Sequence, residues 1–231
     1  MINDLPLHIS VIFYLSLLFA FYFFAKAIAW NKTVIALTIL WLLIQAVIAL
    51  SGFYLYEKGF PPRFALLVSP PFITILLLFV SRKGRHFIDT FDLKYLTYLQ
   101  TFRLPVELVL FWLHLSSLIP LLMTFEGRNF DILAGMSAPV IGYLYFTRKS
   151  ISVKTLLAWN VICLILLLNI VANAVLSAPT EFQMFAFEMP NTGVLYFPFV
   201  WLPGFLVPLA FLSHLVSIRQ ILKLSSHSSQ M

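Results

Sequence analysis

Seven apolar stretches follow one another along this chain, separated by short connections, and they leave little sequence for anything else. An α-helix needs about 20 apolar residues to cross the hydrocarbon core of a bilayer. Only 10% of the residues are charged, whereas soluble domains carry about 25%. The sequence therefore predicts an all-α, polytopic membrane bundle of seven transmembrane helices in a single domain over residues 1–231. We predict the spans at 8–30, 33–56, 64–80, 104–125, 130–147, 155–177 and 197–218.

The longest basic connection lies between the third and fourth spans, from residue 81 to residue 101. Its part from 86 to 100 mixes Phe, Leu and Tyr side chains with Asp and Lys. Such a mixture is typical of an amphipathic helix that lies in the membrane interface. We therefore predict one short interfacial helix here.

The basic residues are distributed very unevenly between the two sides of the predicted bundle. Alternate connections put twelve of the 15 Lys and Arg residues on one side. The other side receives Lys58, Arg63 and Arg128. Because cytoplasmic loops carry the excess of Lys and Arg, the N-terminus is predicted outside and the C-terminus inside. The basic residues flank apolar segments, which favours a bacterial cytoplasmic (inner) membrane protein and not a nucleic-acid partner.

Polar side chains recur on one narrow face of the predicted fourth span. At 100° per residue, Arg103, Glu107 and His114 share this face with Ser117. An ionisable group within the bilayer is costly and usually faces the bundle interior or a wet cavity. We therefore expect this face to point inward.

The depth of each polar residue can be estimated from its helix at about 1.5 Å per residue. Glu107, Asn160 and His214 then form one inner layer, and we expect Glu107 to be hydrogen-bonded to Arg103, His214 or Asn160. One interpretation is a ligand or proton pathway, and the alternative is hydrogen bonding that only holds helices together. The pathway candidates are Arg103, Glu107, His114, Asn160, Asn169, Asn173 and His214.

A second polar group falls in the predicted outer turn between the fourth and fifth spans. Glu126, Arg128 and Asp131 are candidates for the outer mouth of a site. The alternative is a solvated turn, in which ion pairs contribute little.

The sequence predicts no cofactor and no metal site. His114 and His214 lie at different predicted depths, roughly 10 Å apart. The chain has one cysteine and lacks a His-x-x-x-His pair, so the usual zinc spacings are missing. As partners we expect membrane lipids and a small-molecule or lipid ligand, and the sequence also allows a homo-oligomer.

Two stretches carry a family resemblance: residues 125–131, which read Phe-Glu-Gly-Arg-Asn-Phe-Asp, and residues 197–214. They resemble an uncharacterised bacterial family of seven-helix integral membrane proteins. That family has no assigned activity, so the resemblance implies no site. Microbial rhodopsins share the predicted topology but carry a lysine within the last span, where this chain has none. Ceramidase-like hydrolases use several histidines, including a paired set in the last helix, and the last predicted span of this chain has only His214.

Three classes of function remain open from the sequence. The first is a small permease or ligand-binding protein with a polar site between the fourth, sixth and seventh spans. The second is a structural or signalling membrane subunit without a substrate. The third is an intramembrane enzyme that acts on a lipid or isoprenoid, with Glu107 or His114 transferring a proton.

The orientation can be tested at Arg85, in the connection predicted to lie inside. Arg85→Cys, made in a Cys163→Ala background, should resist a membrane-impermeant thiol reagent in intact cells and react after the membrane is opened. A cysteine at Arg128, which is predicted outside, is the control. Labelling of position 85 in intact cells would contradict the predicted orientation.

Overall fold

The computed structural model describes residues 5–56 and 62–228, with side chains up to residue 224. Lys58 therefore lies outside the described residues. In the described part about 74% of the chain is helical and there are no strands, which confirms the all-α class. The α-helices are α1 Leu7–Ala27, α2 Lys32–Leu50, α3 Ala65–Val80, α4 Arg82–Ile88, α5 Leu93–Leu99, α6 Arg103–Leu115, α7 Asp131–Gly142, α8 Val153–Leu176 and α9 Val207–Ser228.

Four helical stretches of the described chain are long and apolar enough to cross a membrane. They are Leu7–Ala27, Lys32–Leu50, Val153–Leu176 and Leu202–Leu224. A fifth results if α3 and α4, which meet at an angle of 98°, are counted together. This part of the fold is compatible with a location in a membrane.

Helix α5 continues into α6 through a short 3-10 turn, Gln100–Phe102. Gln100, Phe102 and Arg103 all keep right-handed helical backbone angles, so the chain is helical from Leu93 to Leu115. At 1.5 Å per residue this run is about 34 Å long. The run lies antiparallel to α1, because Tyr95 contacts Phe23 near the end of α1 while Trp112 contacts His8 at its start.

The predicted bounds of the fourth span and of the interfacial helix are therefore wrong. Helix α6 ends ten residues before the predicted end of the 104–125 span, and the predicted helix over 86–100 is divided between α4 and α5, of which α5 continues into α6. Ser117 adopts a positive φ of 58°. The Leu118 amide donates to the Leu113 carbonyl at 3.0 Å, and the Ser117 amide donates to the His114 carbonyl at 2.8 Å. This is a Schellman motif, which ends a helix by satisfying its last carbonyls.

After α6 the chain folds back into the bundle. This returning segment, residues 116–130, consists of a 3-10 turn and irregular backbone. Helix α7 then begins beside Arg103, in the middle of the α5–α6 run. Helix α7 continues through a π-helical turn, Tyr143–Thr147. The fifth predicted span, 130–147, is thus helical over nearly its whole length, but it starts inside the protein.

Helix α2 is set apart from the bundle and buries only Gln45 and Ala49. Two indoles attach its middle to the start of the last helix. Trp41 donates to the Gly204 carbonyl at 2.8 Å, and Trp201 donates to the Leu42 carbonyl at 2.9 Å. Gly204 lies in a π-helical turn, Leu202–Leu206.

Charged residues join the ends of several helices on one side of the bundle. Arg219 of α9 donates to both carboxylate oxygens of Asp89 at 2.8 and 3.1 Å, and Lys223 donates to Asp89 at 2.6 Å. The hydrogen bond from Arg219 is the main cause that lowers the pKa of Asp89. The Asp92 amide also donates to the Ala27 carbonyl at 2.9 Å. The ends of α1, α4 and α9 and the start of α5 are therefore held at one level.

Gly135 allows α7 to touch the backbone of α6. A Cβ atom at this position would lie 2.4 Å from the Leu104 amide nitrogen. This distance is far inside van der Waals contact, so the two helices need a glycine here.

We predict that Gly135→Ala destabilises the protein by about 1–3 kcal/mol, the usual cost of overpacking. In a free helix the same substitution would be favourable by nearly 1 kcal/mol. A decrease in the free energy of unfolding would therefore show that the close contact of Gly135 with Leu104 outweighs helix propensity. Denaturant titration in detergent micelles measures it, with Met136→Ala on the exposed face of α7 as the control. A Gly135→Ala variant more stable than wild type would show that the helices separate at no cost.

Candidate functional site

Arg103 is the centre of a polar network inside the bundle. Its side chain is buried, and it pairs with Asp131 at the first residue of α7. Arg103 Nε lies 3.1 Å from Asp131 Oδ2, and Nη2 contacts Asp131 Oδ1. Arg103 Nη1 lies 3.1 Å from His214 Nε2. One guanidinium thus connects α6, α7 and α9.

The contact with Arg103 defines the tautomer of His214. An arginine side chain only donates hydrogen bonds, so His214 Nε2 is the acceptor. His214 Nδ1 then carries the proton and donates to Asn160 Oδ1 at 3.0 Å. Asn160 Nδ2 donates to the Leu156 carbonyl at 2.9 Å. His214 is therefore neutral, and the network extends to α8.

Glu107 lies one turn after Arg103 and is joined to the network through the returning segment. Asn129 Nδ2 donates to Glu107 Oε1 at 2.6 Å and to the Met123 carbonyl at 3.1 Å. Asn129 Oδ1 accepts from the Asp131 amide at 3.1 Å. Asn129 thus holds Glu107 and the start of α7 in one arrangement. The negative charge of Asp131 also suits the N-terminal end of α7.

The second oxygen of Glu107 has no hydrogen-bond partner among the described residues. Glu107 is only 3% exposed, and its Oε2 atom is buried. A carboxylate at this place lacks a donor for Oε2, and a carboxylic acid would lack an acceptor. In both protonation states the atom is unsatisfied, which costs about 1–3 kcal/mol for a buried group.

Glu107 lines a cavity of about 110 Å³. The cavity lies between α3, α6, α8 and the start of the last helix, and its walls are mainly Val, Leu, Ile, Ala and Phe side chains. Asn191, from the long loop after α8, also lines it. The Asn191 side chain is 3% exposed and donates to the Ala174 carbonyl at 3.4 Å, while its Oδ1 atom has no partner among the described residues.

The structure brings together four of the seven pathway candidates, namely Arg103, Glu107, Asn160 and His214. The expected partner of Glu107 was wrong, because Glu107 bonds to Asn129 and not to Arg103, His214 or Asn160. The reason is the return of residues 116–130, which places Asn129 beside Glu107.

The other three pathway candidates lie outside the network. His114 is at the end of α6, and its Nδ1 atom lies 3.0 Å from the Ile119 carbonyl. Asn169 donates to the Arg128 carbonyl at 2.7 Å, and Asn173 donates to the Asn169 carbonyl at 2.9 Å. The His114 contact joins the end of α6 to the residues that follow it, and the Asn169 bond joins α8 to the turn that holds Arg128.

The structure places the three candidates for the outer mouth in different environments. Asp131 is buried against Arg103, so its predicted position at a solvated mouth is wrong. Glu126 and Arg128 are exposed, and the Arg128 guanidinium lies 5.3 Å from the centre of the Phe185 ring. The error has the same cause as the misplaced fourth span, because a continuous helix over 104–125 would separate Arg103 from Asp131.

Sequence reasoning placed Asn129 in the outer polar group and not beside Glu107, and it missed Asn191 as a site residue. Both lie in loops, and no helical periodicity marks them. Gln100 was also missed; it is 1% exposed and donates to the Ala210 carbonyl at 3.2 Å. Its spacing of three residues from Arg103 was the available signal. Within the described residues there is no group of three or more His, Cys, Asp or Glu side chains suited to a metal ion.

We predict that Arg103→Met destabilises the protein by about 3–5 kcal/mol, because it leaves a buried carboxylate without its partner. The double variant Arg103→Met/Asp131→Leu should recover much of this loss, since an apolar pair of similar volume is often tolerated. Denaturant titration in micelles measures both, with exposed Arg128→Met as the control. Equal stability of Arg103→Met and Arg128→Met would contradict a bracing role for the ion pair.

No curated protein and no solved structure matches the chain. A family model described as "Domain of unknown function (DUF8737)" matches residues 60–222, from just before α3 to the last turns of α9. The match covers α6, the returning segment, α7, α8 and α9 as far as residue 222. It therefore includes all of the residues that form the polar network. Since the match spans most of the sequence, the chain belongs to the DUF8737 family.

Proposed function

We propose that this protein is a multi-pass protein of a bacterial inner membrane that binds a small ligand in the cavity beside Glu107, as a permease or ligand-binding protein. The observation that carries the proposal is the buried Glu107 Oε2 atom, which has no hydrogen-bond partner among the described residues and belongs to a side chain that lines a cavity. Helices α6, α8 and α9 line the cavity. They correspond to the fourth, sixth and seventh predicted spans.

The contrast between Glu107 and its neighbours supports a site over simple packing. Arg103, Asn129, Asp131, Asn160 and His214 all have polar partners within the protein. Polar groups that only hold helices together would be satisfied in this way. Glu107 Oε2 and Asn191 Oδ1 have no hydrogen-bond partner in the described chain, and both side chains line the cavity, whereas Gln100 Oε1 is unsatisfied away from it.

We propose seven passes with the N-terminus outside and the C-terminus inside. The fourth pass is the helical run from Leu93 to Leu115, and the fifth consists of the returning segment followed by α7. The contacts at the ends of α1, α4, α5 and α9 support this arrangement, because they bring the predicted inner ends together. Irregular backbone is tolerated at membrane depth where protein buries it or a cavity adjoins it, and interrupted helices of this kind form midplane binding sites in transporters.

A structural role fits part of the same network. The bonds from Asp131 through Arg103 and His214 to Asn160 join α6, α7, α8 and α9 without involving the cavity oxygen of Glu107. We therefore assign bracing to these residues and ligand contact to Glu107 and Asn191.

Filling the cavity tests the proposal. We predict that a panel of amines, alcohols, carboxylates and amides with three to six carbons contains compounds that raise the melting temperature of the wild-type protein in micelles. A ligand at 100 times its Kd stabilises by about 2.7 kcal/mol, which corresponds to several degrees. Ala174→Phe, which projects a ring into the cavity, should abolish these shifts.

Ala36→Phe on the exposed face of α2 is the matched control and should keep the shifts. If no compound stabilises the wild type and Ala174→Phe only raises its stability, the cavity is a packing void and the proposal fails.

A further inference from the structure

When Glu107 is ionised, two hydrogen-bond acceptors on the cavity-lining side chains are without a donor. They are Glu107 Oε2 and Asn191 Oδ1, which have no partner in the described residues and belong to two side chains that line the cavity. The neighbouring donors are committed elsewhere: Asn129 Nδ2 donates to Glu107 Oε1 and the Met123 carbonyl. Asn191 Nδ2 donates to the Ala174 carbonyl. A molecule that enters this cavity therefore meets oxygens that need a donor.

The charges around the cavity do not balance when Glu107 is ionised. Arg103 and Asp131 form a close pair whose charges cancel. His214 is neutral, because its Nε2 atom accepts from Arg103 and its Nδ1 atom donates to Asn160. An ionised Glu107 then gives the buried cluster one net negative charge. Since an unbalanced charge is expensive away from water, the ionised form of Glu107 needs a bound positive charge, and without one a proton neutralises the carboxylate.

The rest of the cavity selects a short hydrocarbon. Its walls include Val68, Leu110, Val171 and Val207. The volume of about 110 Å³ is somewhat smaller than the engineered cavity of about 150 Å³ that binds benzene. About five or six non-hydrogen atoms fit in such a space.

We infer that the cavity binds a small organic monocation of the primary-ammonium class, with its N–H groups on Glu107 Oε2 and Asn191 Oδ1 and its hydrocarbon chain on the apolar walls. This inference rests on the proposed function and names the ligand class of the same site. The ammonium supplies the donors that both oxygens lack and balances the charge of Glu107. The apolar walls contribute affinity through burial of the chain.

Two other occupants make different demands. A carboxylate ligand would have to compete for Arg103, whose Nε, Nη1 and Nη2 atoms already contact Asp131 or His214. Water would satisfy the two oxygens, but it would leave the apolar walls wet. Both become outcomes of the test.

Three probes of nearly equal size separate these occupants: n-butylammonium, 1-butanol and butyrate. Binding to the full-length protein in micelles is measured by thermal shift and by isothermal titration. We expect n-butylammonium to bind at least about tenfold more tightly than 1-butanol, as a charge-assisted hydrogen bond implies, and we expect no binding of butyrate. Glu107→Gln keeps the shape of the side chain and should weaken n-butylammonium by about tenfold or more.

A second variant keeps the inference testable if Glu107→Gln does not fold. Asn191→Ala removes the other oxygen and should weaken n-butylammonium while leaving 1-butanol nearly unchanged. Ala36→Phe is the control that should bind like the wild type.

Each result separates the inference from the function on which it rests. Equal binding of n-butylammonium and 1-butanol, abolished by Ala174→Phe, would keep the ligand site and overturn the cationic ligand. Preference for butyrate, or n-butylammonium binding that is unchanged in both Glu107→Gln and Asn191→Ala, would also overturn it. If no probe and no member of the wider panel binds, both proposals fail together.

Discussion

The ion pair between Arg103 and Asp131 is the interaction on which the arrangement of this protein depends. Both side chains are buried among apolar residues, where a charge without a partner is very unfavourable. The pair forms only because the chain returns after α6 and starts α7 in the middle of the bundle. The irregular backbone of residues 116–130 brings these two charges together, and Gly135 allows α7 to lie against α6 beside them.

The same pair determines what the rest of the network can do. Arg103 also donates to His214, which fixes the neutral form of the imidazole and orders Asn160. Asn129 is placed by the return of the chain and holds one oxygen of Glu107. The bonds that hold the helices together therefore do not involve the second oxygen of Glu107. Satisfied side chains and an unsatisfied acceptor thus occur within two turns of one helix.

Much of the helical architecture could be predicted from the sequence, because long apolar runs have few alternatives in a membrane. The polar face of Arg103 and Glu107 and the inward positions of Asn160 and His214 followed from helical spacing. The pairing of Arg103 with Asp131 did not, since it depends on where a helix stops inside an apolar stretch. Ser117 ends α6 in a left-handed conformation that the sequence does not mark with glycine. The contact of Asn129 with Glu107 and the position of Asn191 could not be predicted, because loop residues acquire their positions from tertiary packing.

The π-helical turn at Leu202–Leu206 has a consequence for how the last helix could have evolved. A π turn accommodates one residue more than an α-helical turn, so it shifts the facing of every following residue by about 100° relative to an unbroken helix. Removal of one residue from this turn would rotate His214 away from Arg103 and break the bond of Trp41 to Gly204. Sequence length within this turn is therefore under a stricter constraint than the identity of its apolar side chains, and a relative that lacks one residue here needs another way to orient its last helix.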